Sequence, residues 1–190
     1  MPQQPFVISI ASVSGGGKTT ITEYLQEKLS SSCALYFDDY SFEGEPENIL
    51  VWVNSGADYN QWDLSPLVED VEKFKGGGRF EYIILDYPFA YMNNQMRELI
   101  DFAIYIDTPL DIAMARRINR DFHSSNSDDI ISDLSFYLEK GREAYLEMEK
   151  IKSSSDYIID GSLSTFAISE EVLEEINAHK RRRSKHAKNQ

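Results

Sequence analysis

The chain has 190 residues, of which 42% are hydrophobic and 27% are charged. This length allows one α/β domain with its own core, and the composition excludes a disordered chain. The net charge of −13 argues against DNA or RNA as the main partner, because Lys and Arg supply most of the affinity for a phosphate backbone.

The features that bear on cellular location favour the cytoplasm. The first residues, MPQQPFVISIASVSGGG, carry no basic group ahead of a short apolar stretch and so lack the build of a secretory signal. No stretch reaches the roughly 18 apolar residues of a membrane span. Cys33 is the single cysteine and cannot form an intrachain disulfide. We therefore expect a cytoplasmic protein with no membrane partner.

Short apolar runs alternate with amphipathic stretches along the chain. The predicted strands are 6–11, 34–37, 82–85, 103–106 and 157–159. The predicted helices follow the first glycine-rich loop, begin at Ser65, begin at Pro109, run from Asn126 or Ser127 to Ile151, and begin at a Ser169 cap. This alternation predicts an α/β fold with a five-stranded parallel sheet between two layers of helices.

A phosphate-binding loop lies between the first strand and the first helix. Residues 12–19 spell SVSGGGKT and match the P-loop pattern G-x-x-x-x-G-K-[ST] except at Ser12. Backbone N–H groups and the helix N-terminus hold a β-phosphate in such a loop, while Lys18 reaches the β and γ oxygens and Thr19 contacts Mg²⁺. Whether Ser12 leaves the loop unaffected or strains it is open. The predicted ATP and Mg²⁺ ligands are Ser14, Gly15, Gly16, Gly17, Lys18, Thr19 and Thr20.

Aspartates follow the predicted strands at their carboxyl ends. Asp38 and Asp39 follow the second strand, Asp86 the third and Asp107 the fourth. In parallel sheets ligands bind beyond these ends. The four carboxylates are therefore candidates for one shared cleft.

Signatures of other nucleotide-binding classes do not occur in the sequence. There is no N-K-x-D segment of switch GTPases and no L-S-G-G-Q segment of transporter ATPases. A small-molecule kinase remains, as a single domain over residues 1–179 followed by a basic, irregular tail over 180–190. Two alternatives stay open: a regulatory ATPase without a phosphoryl acceptor, and a nucleotide-sensing module recruited through the tail.

Five segments resemble the uridine kinase and nicotinamide riboside kinase branch of P-loop kinases: FVISIASVSGGGKTT, YFDDYSF, YNQWDLSPL, YIILDYPF and IYIDTPLDIAMARRINRD. The resemblance runs from Phe6 to about Ile176. It implies a P-loop NTPase fold with a small helical lid at about 117–128. It also implies an ATP-dependent kinase that moves the γ-phosphate to a hydroxyl of a small nucleoside-like substrate.

The resemblance assigns roles to two of the strand-end carboxylates. Asp38 matches the residue that accepts the proton of the attacking hydroxyl and binds substrate, with neighbouring Asp39 as the alternative and a turn-capping aspartate as the non-catalytic interpretation. Asp86 stands where the family usually has a Glu that holds Mg²⁺, and the shorter side chain leaves direct or water-mediated contact open.

Arginines on the helix after the fourth strand match the family's lid. Arg116, Arg117 and Arg120 keep the spacing R-R-x-x-R. The resemblance implies that Arg116 and Arg120 bind the nucleotide and that Arg117 is catalytic and contacts substrate as the lid closes.

The resemblance also predicts an acceptor site. Trp62 and Phe122 match aromatic residues that stack on a base, and Asp63 matches a residue that binds ribose hydroxyls; packing of Trp62 in the core is the alternative. The E-R-G-R segment of uridine kinases is missing, so a nucleoside, a base-less sugar and a pantothenate-like alcohol all remain as acceptors. The oligomeric state is open, with a homodimer among the options.

Overall fold

The structure is a computed structural model that describes residues 4–187, with side chains up to Arg183. Its strands are β1 (Phe6–Ala11), β2 (Ser32–Tyr36), β3 (Tyr82–Asp86), β4 (Phe102–Asp107) and β5 (Tyr157–Asp160). Its helices are α1 (Lys18–Lys28), α2 (Ile49–Asn54), α3 (Ser65–Gly76), α4 (Asn94–Arg97), α5 (Leu110–Asp121), α6 (Ser127–Phe136), α7 (Arg142–Glu149) and α8 (Thr165–Ala187).

The strands form one parallel sheet in the order β2-β3-β1-β4-β5, which confirms the predicted five-stranded sheet. Asp86 is paired with Ile10 of β1 and with Tyr36 of β2. The carboxyl ends of β2, β3 and β1 are therefore level. Residues that follow these strands are brought to the same edge of the sheet.

Each face of the sheet has its own core because successive strand residues point to opposite faces. Ile8, Ile10 and Ile104 pack with α1 and α8 on one face. Val7 and Leu85 pack with α3 and an aromatic group on the other. Burial on both faces explains why the strands are continuous apolar runs rather than alternating ones.

The long helix predicted from Asn126 is present and is interrupted in the middle. The Asn126 side chain accepts hydrogen bonds from the Asp128 and Asp129 N–H groups, so it caps α6. A π-helical segment, Tyr137–Gly141, joins α6 to α7. A side chain at Gly141 would begin 3.3 Å from the Phe136 ring, and a glycine therefore fits the tight packing there.

The prediction that Ser169 caps the last helix is wrong. The helix begins at Thr165, and Ser169 lies buried inside it; the Ser164 hydroxyl instead accepts the Ala167 N–H at 3.2 Å.

The basic segment after residue 179 also differs from the expected irregular tail. Helix α8 continues to Ala187. Lys180 donates to the Tyr82 hydroxyl at 2.8 Å, and Arg183 forms an ion pair with Asp101. These partners at the amino edge of the sheet hold the basic helix in place. The rest of the predicted tail, the side chains of 184–187 and all of 188–190, lies outside the described residues.

Helix α8 is the longest of the described helices, and it is strongly charged rather than apolar. Across residues 4–187, no helix combines the length and the hydropathy needed to cross a membrane.

Candidate active site

The phosphate-binding loop joins β1 to α1 and depends on two left-handed glycines. Gly15 has φ 77° and Gly17 has φ 102°, a region that side chains disfavour. A Cβ on Gly15 would lie 2.1 Å from the Ala113 carbonyl oxygen. Helix α5 therefore packs directly on the loop, and only glycine allows this approach.

Ser12, the departure from the P-loop pattern, fits without strain. Its φ is not in the left-handed region, and its buried hydroxyl donates to the Ile106 carbonyl at 2.8 Å. A Cβ on Gly16 would lie 1.7 Å from the Ser12 hydroxyl oxygen. The serine thus occupies space that the glycine at position 16 leaves free, which settles the question that the sequence left open.

Thr108 also supports the loop and was missed from the sequence. Its buried hydroxyl donates to the Gly16 carbonyl at 2.8 Å. On its other side, a Cβ on Gly161 would lie 1.9 Å from the same hydroxyl. Thr108 thereby ties the loop to the segment after β5. In the sequence, its position directly after Asp107, at the end of a predicted strand, was the one signal that could have indicated this role.

The two residues predicted to hold the metal are in contact. The Thr19 hydroxyl donates to Asp86 Oδ2 at 2.6 Å. Burial raises the pKa of Asp86, while the charge of Lys18 and the Thr19 hydrogen bond oppose the rise. Burial lowers the pKa of Lys18, and the Asp86 and Asp38 carboxylates oppose that change. Lys18, Asp86 and Asp38 therefore form one electrostatic group.

The structure separates the two aspartates that follow β2. Both are exposed and lie in a short 3-10 helix, Phe37–Asp39. The negative charge of Asp38 favours a higher pKa for both Lys18 and Asp86. The negative charge of Asp39 instead helps to raise the pKa of the Tyr36 phenol and that of the Tyr40 phenol. Asp38 is therefore the aspartate of this pair whose charge is felt at the P-loop lysine.

The shared cleft does not include all four strand-end aspartates. Asp107 forms an ion pair with Lys152 at 3.3 Å. That partner comes from the segment before β5, on the other side of β4 from the P-loop strand. Asp107 therefore has a counterion of its own and is not brought together with Lys18.

A cluster of aromatic side chains lies beside Asp38, and we call it the aromatic cluster. Its members are Phe37, Phe42, Trp52, Tyr59, Trp62, Tyr87 and Phe89. Trp62 is 4% exposed, and its ring lies 4.9 Å from that of Trp52 and 5.0 Å from that of Phe89. This geometry fits core packing. Stacking of Trp62 on a base stays a prediction that would require the cluster to open.

Asp63 is exposed but already has donors. Its Oδ1 accepts from the Ser65 N–H at 3.0 Å and from Gln95 Nε2 at 2.9 Å. The Gln95 and Ser65 hydrogen bonds lower the pKa of Asp63. A β-bridge to Glu43 brings Asp63 next to the segment that follows Asp38. Asp63 thus accepts hydrogen bonds at the start of α3, and a carboxylate in this place can also meet a ligand.

The three arginines of α5 have different surroundings. Arg116 is exposed and lies 3.5 Å from the Gly161 carbonyl. Arg120 is 61% exposed and pairs with Asp121 at 2.6 Å. Its positive charge helps to lower the pKa of Lys18. Arg117 forms a two-pronged hydrogen bond with Asp133 of α6. The predicted lid at about 117–128 is thus the end of α5, a turn and the start of α6.

Phe122 lies at the lid and is not a member of the aromatic cluster. It lies half-buried at the end of α5, where the Arg117 guanidinium is 6.0 Å from its ring. Among the described residues no ring contact joins Phe122 to the aromatic cluster. Because Trp62 is packed against Trp52 and Phe89, stacking of Trp62 and Phe122 on one base stays a prediction.

The donor atoms fit Mg²⁺ rather than a more heavily ligated cation. Thr19 and Asp86 supply hydroxyl and carboxylate oxygens, which are the ligands that Mg²⁺ prefers. The described residues contain no cluster of three or more acidic, His or Cys side chains that could hold a metal. A cation here would keep water and phosphate oxygens as ligands, which is usual for Mg²⁺.

Comparisons with known proteins agree with this geometry. The Phosphoribulokinase / Uridine kinase family pattern matches residues 81–165. A uridine kinase of Staphylococcus aureus (strain JH9) is 27% identical, over 85% of this chain and 91% of its own.

Two solved structures share the fold. A putative fructose transport system kinase from Silicibacter sp. TM1040 has a TM-score of 0.57 at 13% identity, covering 82% of this chain and 90% of that one. Deoxyadenosine kinase from M. mycoides has a TM-score of 0.50 at 14% identity, covering 91% and 100%. With the P-loop geometry, these similarities show that the chain resembles P-loop kinases of the uridine kinase type, and they support a phosphotransferase that acts on a hydroxyl group.

Proposed function

We propose that the protein transfers the γ-phosphate of ATP to a hydroxyl of a nucleoside, with Asp38 as the general base. One observation carries this proposal. The adjacent strands β2, β3 and β1 place Asp38, Asp86 and Lys18 within electrostatic reach of one another. A cation for the phosphate and a carboxylate for the incoming hydroxyl are what phosphoryl transfer requires of a protein.

The donor nucleotide binds across the P-loop in this proposal. Loop N–H groups and the start of α1 hold the β-phosphate, and Lys18 lies between the β and γ oxygens. A small cavity of about 110 Å³ adjoins the loop and is lined by Gly17, Thr20, Arg116, Thr165 and Ile168 among others. Its position between α1, α5 and α8 suits the nucleoside end of ATP.

Thr19 and Asp86 are the residues that would hold Mg²⁺. When bound, this ion supplies positive charge to the phosphate oxygens. Without it the Thr19 hydroxyl already points at Asp86 Oδ2. The protein therefore keeps both oxygens preorganised on one side of Lys18.

Asp38 acts on the acceptor. It accepts the proton of the attacking hydroxyl as the oxygen approaches the γ-phosphorus, and it orients that hydroxyl in line with the leaving oxygen. Lys18 and Arg120 offset the charge on the transferred group, and closure of the segment after Arg120 excludes water.

A nucleoside is favoured as the acceptor because the curated relatives are named uridine kinases. Asp63 is the proposed contact for the sugar hydroxyls, since its carboxylate is exposed beside the segment that follows Asp38. Phe122 is the proposed base contact because it is half-buried at the lid rather than in the core. We assign Trp62 to the packing behind the site because it is 4% exposed.

The test compares Asp38→Asn with Asp39→Asn across uridine, cytidine, nicotinamide riboside and pantothenate. We expect Asp38→Asn to lower kcat by roughly 10²- to 10⁴-fold on the best acceptor and to keep ATP affinity. Asp39→Asn should have a much smaller effect. Full turnover by Asp38→Asn would exclude Asp38 as the base. Release of free phosphate at one rate with and without acceptors would favour a regulatory ATPase instead.

A further inference from the structure

A second layer of structure holds α5 in place over the P-loop. Residues 127–149, which comprise α6, the π-helical segment and α7, form what we call the helical arm. Asp133 in this arm binds Arg117 of α5. In the same arm, burial raises the pKa of Tyr145, and the Ser14 hydroxyl of the P-loop opposes this rise. The arm thus contacts both parts of the phosphate site.

The Arg117 side chain forms an ion pair with Asp133. Its two terminal nitrogens each donate to one carboxylate oxygen, with Nη1 to Oδ1 at 3.2 Å. The Arg117 side chain is 15% exposed and that of Asp133 is 21% exposed. Two-pronged pairs of this kind fix geometry as well as charge. While this ion pair is intact, the Asp133 carboxylate largely neutralises the Arg117 charge, and Arg117 contributes little to binding a phosphate.

The backbone of Arg117 lies close to the loop. A Cβ on Gly15 would be 3.2 Å from the Arg117 N atom. Arg116 precedes Arg117 and Arg120 lies one turn further along the same helix. A residue that fixes Arg117 consequently sets where these two exposed cations stand relative to the loop.

The Arg117 guanidinium also has an unused donor. Its Nε atom is buried and has no hydrogen-bond partner within the described part of the chain. Asp121 is the other nearby carboxylate, at 3.8 Å from Nη1, which is beyond hydrogen-bonding distance. Asp133 is thus the main group that holds this side chain in its buried position.

We infer that Asp133 is a positioning residue, which holds Arg117 and through it places Arg116 and Arg120 over the phosphates. This inference rests on the proposed ATP site. In this arrangement Arg117 has a structural role and links α5 to α6. This differs from the catalytic role that the resemblance implies. The cations that meet the phosphates are then Lys18, Arg116 and Arg120.

The test is Asp133→Asn, which keeps the shape of the side chain and removes its charge. We expect the Kd of MgATP to rise and kcat/KM for ATP to fall by up to about 100-fold, the scale of a small misplacement in a site, while the KM for the acceptor changes little. Asp133→Glu should recover part of the loss. In an Arg117→Ala background, Asp133→Asn should have no further effect.

Asp129→Asn is the matched control because it removes the same charge from an exposed position on α6. Thermal midpoints separate the inference from a purely structural role, which would lower the midpoint and leave the Kd of MgATP unchanged. An unchanged or tighter Kd in folded Asp133→Asn overturns the inference. If Asp133→Asn fails to fold, a folded Arg117→Ala variant with the Kd of wild type overturns it as well.

These outcomes are distinguishable from failure of the proposed function. A wild-type chain that binds MgATP but phosphorylates none of the nucleosides contradicts the nucleoside proposal. The effect of Asp133→Asn on MgATP affinity still decides the role of Asp133.

Discussion

The donor half and the acceptor half of the candidate site are built in opposite ways. The donor half is one contiguous segment, residues 12–20, which is built around a glycine loop. The acceptor half is assembled from the segments around Phe37, Trp62 and Phe89, which are joined by ring contacts. A local motif thus fixes the phosphate chemistry, whereas long-range packing fixes the shape of the acceptor site.

The two halves also differ in what their side chains can do without rearrangement. Lys18 and Thr19 already lie next to Asp86. On the acceptor side, Asp38 and Asp63 are exposed, and Trp62 is enclosed. The comparison predicts that substitutions in the donor half reduce chemistry, whereas those in the aromatic cluster reduce stability.

The largest effect on activity is expected from Lys18→Met. Loss of the ammonium group removes charge stabilisation at the phosphates, and we expect kcat to fall by about 10²- to 10³-fold, as measured in a coupled kinase assay. Lys28→Met is the matched control on the same helix, since Lys28 is exposed at the far end of α1. Equal losses in the two variants would contradict the division between the halves.

Substitutions in the aromatic cluster should lower the stability of the protein. Trp62→Ala removes a buried indole and is expected to lower the free energy of unfolding by about 3–5 kcal/mol, measured by urea denaturation. The milder Trp62→Phe should lower stability less and leave the KM for the acceptor unchanged. Trp52→Phe is the matched control, because it alters the neighbouring ring. A KM rise for Trp62→Phe alone would instead support stacking on the base.

The smallest effect is expected from Ser12→Gly, which restores the usual P-loop residue. It removes the hydrogen bond to Ile106 and should cost about 1 kcal/mol of unfolding free energy, measured by thermal or urea denaturation. Turnover should be unchanged because the φ of Ser12 is not in the left-handed region. A marked gain in kcat would show that the serine restrains the loop.

Local patterns were enough to predict the sheet and the donor half. The apolar runs gave all five strands within a few residues, and the Lys-Thr pair located the loop between β1 and α1. These features depend on neighbours in sequence, so one sequence contains them. Asp38 and Asp86 followed from the rule that strand ends share an edge, and the register of Asp86 against Tyr36 satisfies that rule.

The rest depends on contacts between distant segments. Helix α2 is only six residues long, and its Trp52 finds partners in Tyr59 and Trp62. Asp133 meets Arg117 across the turn after α5, and nothing in residue spacing marks it out from the other acidic residues of α6. Packing of Trp62 and pairing of Arg117 were therefore beyond what the sequence could specify.

Helix α8 has a practical consequence for how the protein can be handled. Its 23 residues span roughly 35 Å at 1.5 Å per residue. Thr165 lies at the small cavity by the P-loop, and Arg183, near the other end of the helix, lies at the amino edge of the sheet. An affinity tag or surface attachment added after this helix would sit on the side remote from the nucleotide. Immobilised protein should therefore keep its cleft accessible to both substrates.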